Sequence, residues 1–327
     1  MSDMANLGTA LKPVKRMPAP KSLPRIEASD FKRDLDLSQD ELLALLNLTQ
    51  QVKAAPTRFA KALGGRYLSL LFEKPSLRTR MTFELAIKQL GGDCVLSAGP
   101  IGDREPLKDV ARNLDRWTNA IVARTFSQTT IDDLAHWSNV PVINALSDRY
   151  HPCQALADVF TMQEKFGDLR GLKLAFVGDG NNVAHSLMLS SLRLGMNFAI
   201  ATPDGYSPDP EIVAQAEALA AVSGGELTIT HDPVQAVEGA QGVYTNVWAS
   251  MGQEQEKAQR LADFAPYQIN SALFGQASPE AVFLHCLPAR RGEEVSDEVI
   301  ESPASVVFDQ AENRLHVQKA LLLMLIG

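Results

Sequence analysis

The sequence predicts an α/β protein of two doubly wound parallel-sheet domains linked by helices, on three observations. Short aliphatic runs alternate with amphipathic stretches along the chain after about residue 28, the pattern of parallel sheets covered on both faces. The alternation runs through two halves that meet near residues 146–151. A length of 327 residues is enough for two packed domains rather than one.

Taken in order, residues 1–28 are rich in Pro, Lys and small residues and hold no apolar signal-peptide core, so a flexible arm is expected there. Ser38-Gln39-Asp40-Glu41 is a capping box. Leu42, Leu45, Leu46 and Val52 follow at helical spacing, and Pro56 stops that helix. Tyr67 to Phe72 reads as a buried strand, and a helix from about Arg78 to Leu90 ends at Gly91-Gly92. Pro106 to Trp117 reads as a helix, Ala120 to Arg124 as a strand, Thr130 to Trp137 as a helix and Val142 to Ala145 as a short strand. In the second half, Leu172 to Val177, Asn197 to Ala201, Leu227 to Thr230, Gly242 to Thr245 and Val282 to His285 read as strands with helices between them. A long helix follows over about Gln310 to Ile326, apolar on one side.

Composition narrows the function. Apolar residues make up 45% and charged ones 21%, as in soluble globular proteins. Against 31 basic residues stand 39 acidic ones, a net charge of −8, which disfavours nucleic acid or an anionic membrane as partner. An anionic ligand would need local, pointed arginines. Cys94, Cys153 and Cys286 are sparse and widely spaced, so neither a disulfide framework nor a zinc site is expected, and a reducing, cytoplasmic setting fits. No apolar run approaches the roughly 18 residues of a membrane span.

Ligands of doubly wound sheets bind beyond the carboxyl ends of strands, and polar clusters stand at those places. After Phe72 comes Glu73-Lys74-Pro75-Ser76-Leu77-Arg78-Thr79-Arg80. A strand, a turn and a helix start aim backbone N–H groups at an anion. Ser76 and Thr79 add hydroxyls, and Arg78 adds a fork suited to phosphate. Arg80 and Glu84 are four apart and placed to pair. Arg124 ends a strand, and His151-Pro152-Cys153-Gln154 opens the joining helix with His151 and Gln154 facing one point. Gly178-Asp179-Gly180-Asn181-Asn182 approaches a dinucleotide fingerprint, but Val183 stands in the third glycine's place. Further clusters are Thr245-Asn246-Val247-Trp248-Ala249-Ser250-Met251-Gly252, His285-Cys286-Leu287-Pro288-Ala289-Arg290-Arg291-Gly292 and Glu312-Asn313-Arg314. Taken singly, each also fits a blander part: a capped helix, a structural histidine, a core Trp or Met.

Together these segments resemble the aspartate/ornithine carbamoyltransferase family, in order and over nearly the whole chain after about residue 28. Ser76 to Arg80 and His151 to Gln154 are similar to the family's carbamoyl phosphate motifs. Asn181-Asn182, Ser250-Met251-Gly252 and His285-Cys286-Leu287-Pro288 resemble the ornithine branch. The resemblance implies a carbamoyl phosphate domain over 29–148, completed by the helix 310–327, and an amino-acid domain over 149–309. It implies that Ser76, Leu77, Arg78, Thr79, Arg124, His151, Gln154, Cys286, Leu287 and Arg314 bind carbamoyl phosphate. Of these, Arg78, Arg124, His151, Gln154, Cys286 and Arg314 are the expected catalytic set. Asn182, Asn246, Ser250 and Met251 would hold L-ornithine, and the Leu287-Pro288 bond would be cis. Cys286 reads as a positioning group or weak acceptor, not a covalent nucleophile.

Two positions depart from the family pattern. Ornithine enzymes usually carry Asp, facing the substrate's amino group, where Asn246 stands. Many members also lend a Gln or His from a neighbouring subunit, near Pro100 to Asp103, where Pro100 offers no donor. The expected reaction is carbamoyl phosphate plus ornithine giving citrulline and phosphate, by a homotrimer without metal or redox cofactor. Alternatives are another amine acceptor, a binding homologue without turnover, or a nucleotide-dependent dehydrogenase resting on Gly178 and Gly180.

Overall fold

The computed structural model describes residues 23–249 and 254–327. The N-terminal half runs through Gln39–Ala54 (α1), Tyr67–Phe72 (β1), Leu77–Gln89 (α2), Asp93–Ala98 (β2), Leu107–Trp117 (α3), Ala120–Arg124 (β3), Gln128–Trp137 (α4) and Val142–Leu146 (β4). Pro152–Phe166 (α5) leads into Lys173–Val177 (β5), Asn182–Arg193 (α6), Asn197–Ala201 (β6), Pro210–Ser223 (α7), Leu227–Thr230 (β7), Pro233–Val237 (α8) and Gly242–Thr245 (β8). Lys257–Phe264 (α9), Ser271–Phe274 (α10), Val282–His285 (β9), Asp297–Ile300 (α11) and Val307–Ile326 (α12) follow.

The strands form two parallel sheets, ordered β2-β1-β3-β4 and β7-β6-β5-β8-β9. Each strand order reverses beside a central strand, between β1 and β3 and between β5 and β8, and such reversals open crevices at the carboxyl ends. Apolar clusters cover both faces of both sheets, and the largest is shared by the two halves. The strands of β3, β5 and β8 are accordingly almost continuous apolar runs.

Local chemistry explains the element ends. Ser38 Oγ accepts the Glu41 N–H at 3.2 Å while the Glu41 carboxylate accepts the Ser38 N–H at 2.7 Å, the capping box read from the sequence. Gly91 takes φ +94°, and a Cβ there would lie 2.8 Å from the Ala60 carbonyl oxygen. Glu84 bonds Lys88 at 3.0 Å rather than pairing with Arg80. Lys88 lies one turn onward, towards the helix end where a cation is favoured.

No strand is expected over residues 93–98 from composition, yet β2 pairs along its length with β1. It is an edge strand with Cys94 and Leu96 turned inward and Val95 exposed. A short run covered on one face carries little apolar signal.

α12 returns to pack on α1 and α2 of the N-terminal half and on the joining helix α5. Asn313 bolts it there: Nδ2 donates to Thr161 Oγ1 at 2.9 Å and Oδ1 accepts the Lys53 ammonium at 2.7 Å. Among the described residues, no helix is long and apolar enough to cross a membrane.

Candidate functional site

The loops beyond β1, β3, β5, β8 and β9 converge on one cavity of about 440 Å³ between the halves. Ser76, Leu77, Arg78, Thr79, Arg124, His151, Asn182, Asn246, Cys286, Leu287 and Arg314, all read from the sequence, line it. Ser250 and Met251 lie outside the described residues. Gln154 does not line the cavity but sits one turn into α5 behind His151, 1% exposed.

One end of the cavity is cationic. Ser76 is the N-cap of α2, makes no side-chain cap bond, and lines the pocket together with the first residues of that helix. A register shift between Ala123 and Arg124 separates Arg124 from the regular β3–β4 pairing at the strand end. Arg314 comes from the first turns of α12 and donates Nη2 to Thr79 Oγ1 at 2.5 Å. The Nε atoms of Arg124 and Arg314 are buried without partners. Burial, then the like charges of Arg314 and Arg78, push Arg124 down to about 10, so it stays protonated at neutral pH. Burial lowers Arg78 and Arg314 as well. Three arginines therefore converge with no carboxylate among the described lining residues, a field built for a multiply charged anion.

His151 lies at the seam. Burial, then Arg314 and Arg124, hold its pKa well below the usual value, so the imidazole is neutral. Its Nδ1 is buried and unpartnered. Gln154 donates Nε2 to Asp158 Oδ1 at 2.8 Å, which turns its unpartnered Oε1 the other way.

Cys286 and Asn246 add uncharged groups to the lining. The Cys286 thiol donates to Asn246 Oδ1 at 3.2 Å. Burial, with Asp158 nearby, pushes Cys286 up to about 11, which leaves it a thiol at neutral pH. The Leu287-Pro288 bond is cis, and Leu287 takes φ 56°. The Leu287 N–H donates to His285 Nδ1 at 2.8 Å, so Nε2 carries the proton shared with Glu294 at 3.2 Å. Glu294 also accepts the Arg290 N–H at 2.6 Å, fixing the loop from both sides. Asn182 Nδ2 donates to the Ser147 carbonyl at 2.6 Å.

Several groups in or behind the pocket had no role in the sequence reading. Lys74 stands over the Phe126 ring at 4.5 Å, and Lys257 and Arg290 line the outer rim. Asp158, wholly buried, accepts Gln154 and, at 2.6 Å, Gln310, whose Oε1 accepts the His285 N–H at 2.9 Å. Burial pushes Asp158 up to about 7. The available signal was a lone carboxylate in the otherwise apolar run of α5, one turn from Gln154. Pro100 is exposed and away from the cavity.

The Gly178–Gly180 loop lacks the geometry of a dinucleotide site. The Gly180 N–H donates to the Tyr206 carbonyl at 2.9 Å, and a Cβ on Gly180 would lie 2.3 Å from Pro208 N, so chain already fills that approach. Asp179 is tied to Arg260 at 3.0 Å. Among the described residues, no group of three or more His, Cys, Asp or Glu is placed to hold a metal ion.

Residues 29–164 match the family model for the aspartate/ornithine carbamoyltransferase carbamoyl-P binding domain, and residues 170–325 that for the Asp/Orn binding domain. The chain therefore belongs to the aspartate/ornithine carbamoyltransferase family. It is 50% identical over 308 residues to an ornithine carbamoyltransferase of Gloeobacter violaceus, covering 92% of this chain and 97% of that one. It is 51% identical over 300 residues to that of Thermococcus kodakarensis, covering 89% and 94%. The solved ornithine carbamoyltransferase of Pyrococcus furiosus superposes with a TM-score of 0.89 at 46% identity, over 94% of this chain and 98% of that one. An acetylornithine transcarbamylase complexed with acetylcitrulline is more distant, at 33% identity and a TM-score of 0.83, covering 92% and 100%.

Proposed function

We propose that this protein transfers the carbamoyl group of carbamoyl phosphate to the side-chain amine of L-ornithine, giving L-citrulline and phosphate in arginine biosynthesis. The observation that carries this reading is the cavity's lining: Arg78, Arg124 and Arg314 share it with His151, Cys286 and Asn246, and no carboxylate stands among its described residues. In the proposed reaction the phosphate lies against Ser76, Arg78, Thr79 and the N-terminus of α2. The carbonyl oxygen meets Arg124, His151 and Arg314, and Gln154, buried behind His151 and held by Asp158, backs that wall of the site. Leu77 and Leu287 contribute backbone groups, and Asn182, Asn246, Ser250 and Met251 hold ornithine. Residues 29–148 with the helix 310–327 thus form the carbamoyl phosphate unit, and 149–309 the acceptor unit.

The chemistry follows from charge. An amine attacking the carbonyl builds negative charge on its oxygen, and phosphate leaves as an anion, so fixed cations at both places favour the transition state. The nucleophile must be neutral, whereas a free alkylamine has a pKa of about 10.4. A lining without carboxylates among its described residues favours loss of that proton. The Cys286 thiol, held by Asn246, positions the amine and does not attack.

The same reading makes the protein a cytoplasmic homotrimer. Leu77, Met81 and Leu85 are 70%, 50% and 40% exposed along one stripe of α2. An apolar stripe so close to the cavity supports a subunit contact there. Light scattering is expected to give three times the 35.6 kDa chain mass, and a monomer would contradict the assembly. Citrulline formation measured with carbamoyl phosphate and a panel of amines tests the reaction. A preference for another amine replaces ornithine as the acceptor, and no product with any amine ends the transferase reading.

A further inference from the structure

A carboxylate with no part in the proposed chemistry lies inside the protein, behind the segment that joins the two halves. Asp34 opens the short 3-10 turn before α1 and is 4% exposed. It accepts two serine hydroxyls from α6: Ser186 Oγ donates to Oδ2 at 2.5 Å and Ser190 Oγ to Oδ1 at 2.9 Å. The serines are one helical turn apart, so a single carboxylate meets both. Ser186 has a second partner, because its oxygen accepts the backbone N–H of His151 at 2.9 Å. Two more α6 residues hold the rest of the joining segment. Asn182 donates to the Ser147 carbonyl at 2.6 Å, and His185 Nδ1 donates to the Arg149 carbonyl at 3.0 Å.

A serine hydroxyl has one hydrogen and two lone pairs. With the hydrogen committed to Asp34, a lone pair of Ser186 faces the His151 N–H. Without the carboxylate, the hydroxyl is free to turn to the carbonyl one turn back on α6, a common alternative for serine in a helix. The His151 backbone, at φ −133° and ψ 61°, is the N-cap of α5: its carbonyl accepts the Gln154 and Ala155 N–H groups at 3.0 and 3.2 Å, and on its other side its own N–H rests on Ser186 alone. Its imidazole lines the cavity with Nδ1 unpartnered. We infer that Asp34 is a positioning residue for carbamoyl transfer: through Ser186 it fixes the His151 backbone and so the place of the imidazole against the carbonyl oxygen. This rests on the role of His151 proposed above.

Ser186 and Ser190 give Asp34 comparable buried hydrogen bonds, and of the two Ser186 bonds to His151, which makes them a matched pair for the test. Ser186→Ala and Asp34→Ala are expected to lower kcat for citrulline formation by about tenfold or more, with KM for the amine within about twofold. Ser190→Ala should lower the melting temperature comparably and leave kcat within about twofold. Adding Asp34→Ala to Ser186→Ala should lower kcat no further, since both act along one path. Hydrogen exchange reads the same device without turnover: the His151 amide should exchange faster in Asp34→Ala and at the wild-type rate in Ser190→Ala. Equal kcat losses in the two serine variants, or an unchanged His151 amide in Asp34→Ala, overturn the inference. Absence of citrulline formation by the wild type, or full activity of His151→Ala, overturns instead the role assigned to His151. The amide exchange then still decides whether Asp34 holds that backbone.

Discussion

Replacing Asn246 with Asp adds one negative charge to the cavity lining. Asn246 is 6% exposed, and its Oδ1 already accepts the Cys286 thiol at 3.2 Å, leaving one lone pair for a substrate ammonium. A hydrogen bond with a charged partner contributes about 1.5–3 kcal/mol, against about 0.5–1.5 kcal/mol for a neutral one. In Asn246 one partner of that contact is uncharged, and Asp makes both charged. An added contribution of about 1–1.4 kcal/mol is roughly a factor of five to ten in affinity. Asn246→Asp is therefore expected to lower KM for ornithine by that factor and leave carbamoyl phosphate binding unchanged. With an acceptor that carries a single amine and no second ammonium, the new carboxylate stays unpaired, and burying it costs free energy. KM for such an acceptor should rise. The assay is steady-state kinetics of both forms with ornithine and with a monoamine. Ornithine kinetics unchanged or worsened in Asn246→Asp, with monoamine kinetics unharmed, would refute the placement of an ornithine ammonium at this residue.

Arg78→Ala should weaken a bisubstrate phosphonate by at least about tenfold, the loss of one charge-assisted hydrogen bond, and calorimetry showing equal affinity would remove Arg78 from the phosphate site. Cys286, pushed up to about 11, should be alkylated at a rate that climbs without a plateau through pH 10, and Cys286→Ser should keep measurable turnover. An alkylation plateau near neutral pH, or complete inactivity of the serine variant, would point to a reactive thiolate. Asp158 has a folded pKa of about 7, above the usual 3.8, so it is protonated in the fold and ionised in the unfolded chain between those values. Its contribution to stability is then greatest at low pH and declines as pH rises through that window, by at most about 1.4 kcal/mol per unit. Asp158→Asn, neutral throughout, should gain stability relative to wild type from pH 4 to 7. A constant difference in denaturant titrations across that range would contradict the burial of Asp158 as its cause.

Much of the architecture was legible because buried parallel strands are nearly pure aliphatic runs. Ala120–Arg124, Asn197–Ala201 and Gly242–Thr245 have the bounds read from the sequence. β2 was hidden because its outer face meets water and its composition is mixed. The site was legible where residues cluster in sequence, as at Ser76 to Thr79 and His151 to Gln154. It was hidden where tertiary contact alone makes the partner. Nothing local marks Asp158 as the partner of Gln310, or Asp34 as the partner of Ser186, each 152 positions away. The expected Arg80–Glu84 pair failed for a related reason, since spacing supplied two candidates for Glu84 and Lys88 took it.

The return of α12 to the N-terminal half has a consequence for synthesis. The strands and loops carrying Ser76, Arg78 and Arg124 leave the ribosome early, and N-terminal units begin to fold as they emerge. Arg314 and the helix face that packs on α1, α2 and α5 are translated more than two hundred residues after Thr79, the residue Arg314 bonds. Until then the nascent half exposes the apolar groove that α12 will fill, and the proposed anion site lacks one of three guanidiniums. Any message ending before codon 314 would therefore yield a chain with that groove uncovered and the proposed phosphate end incomplete.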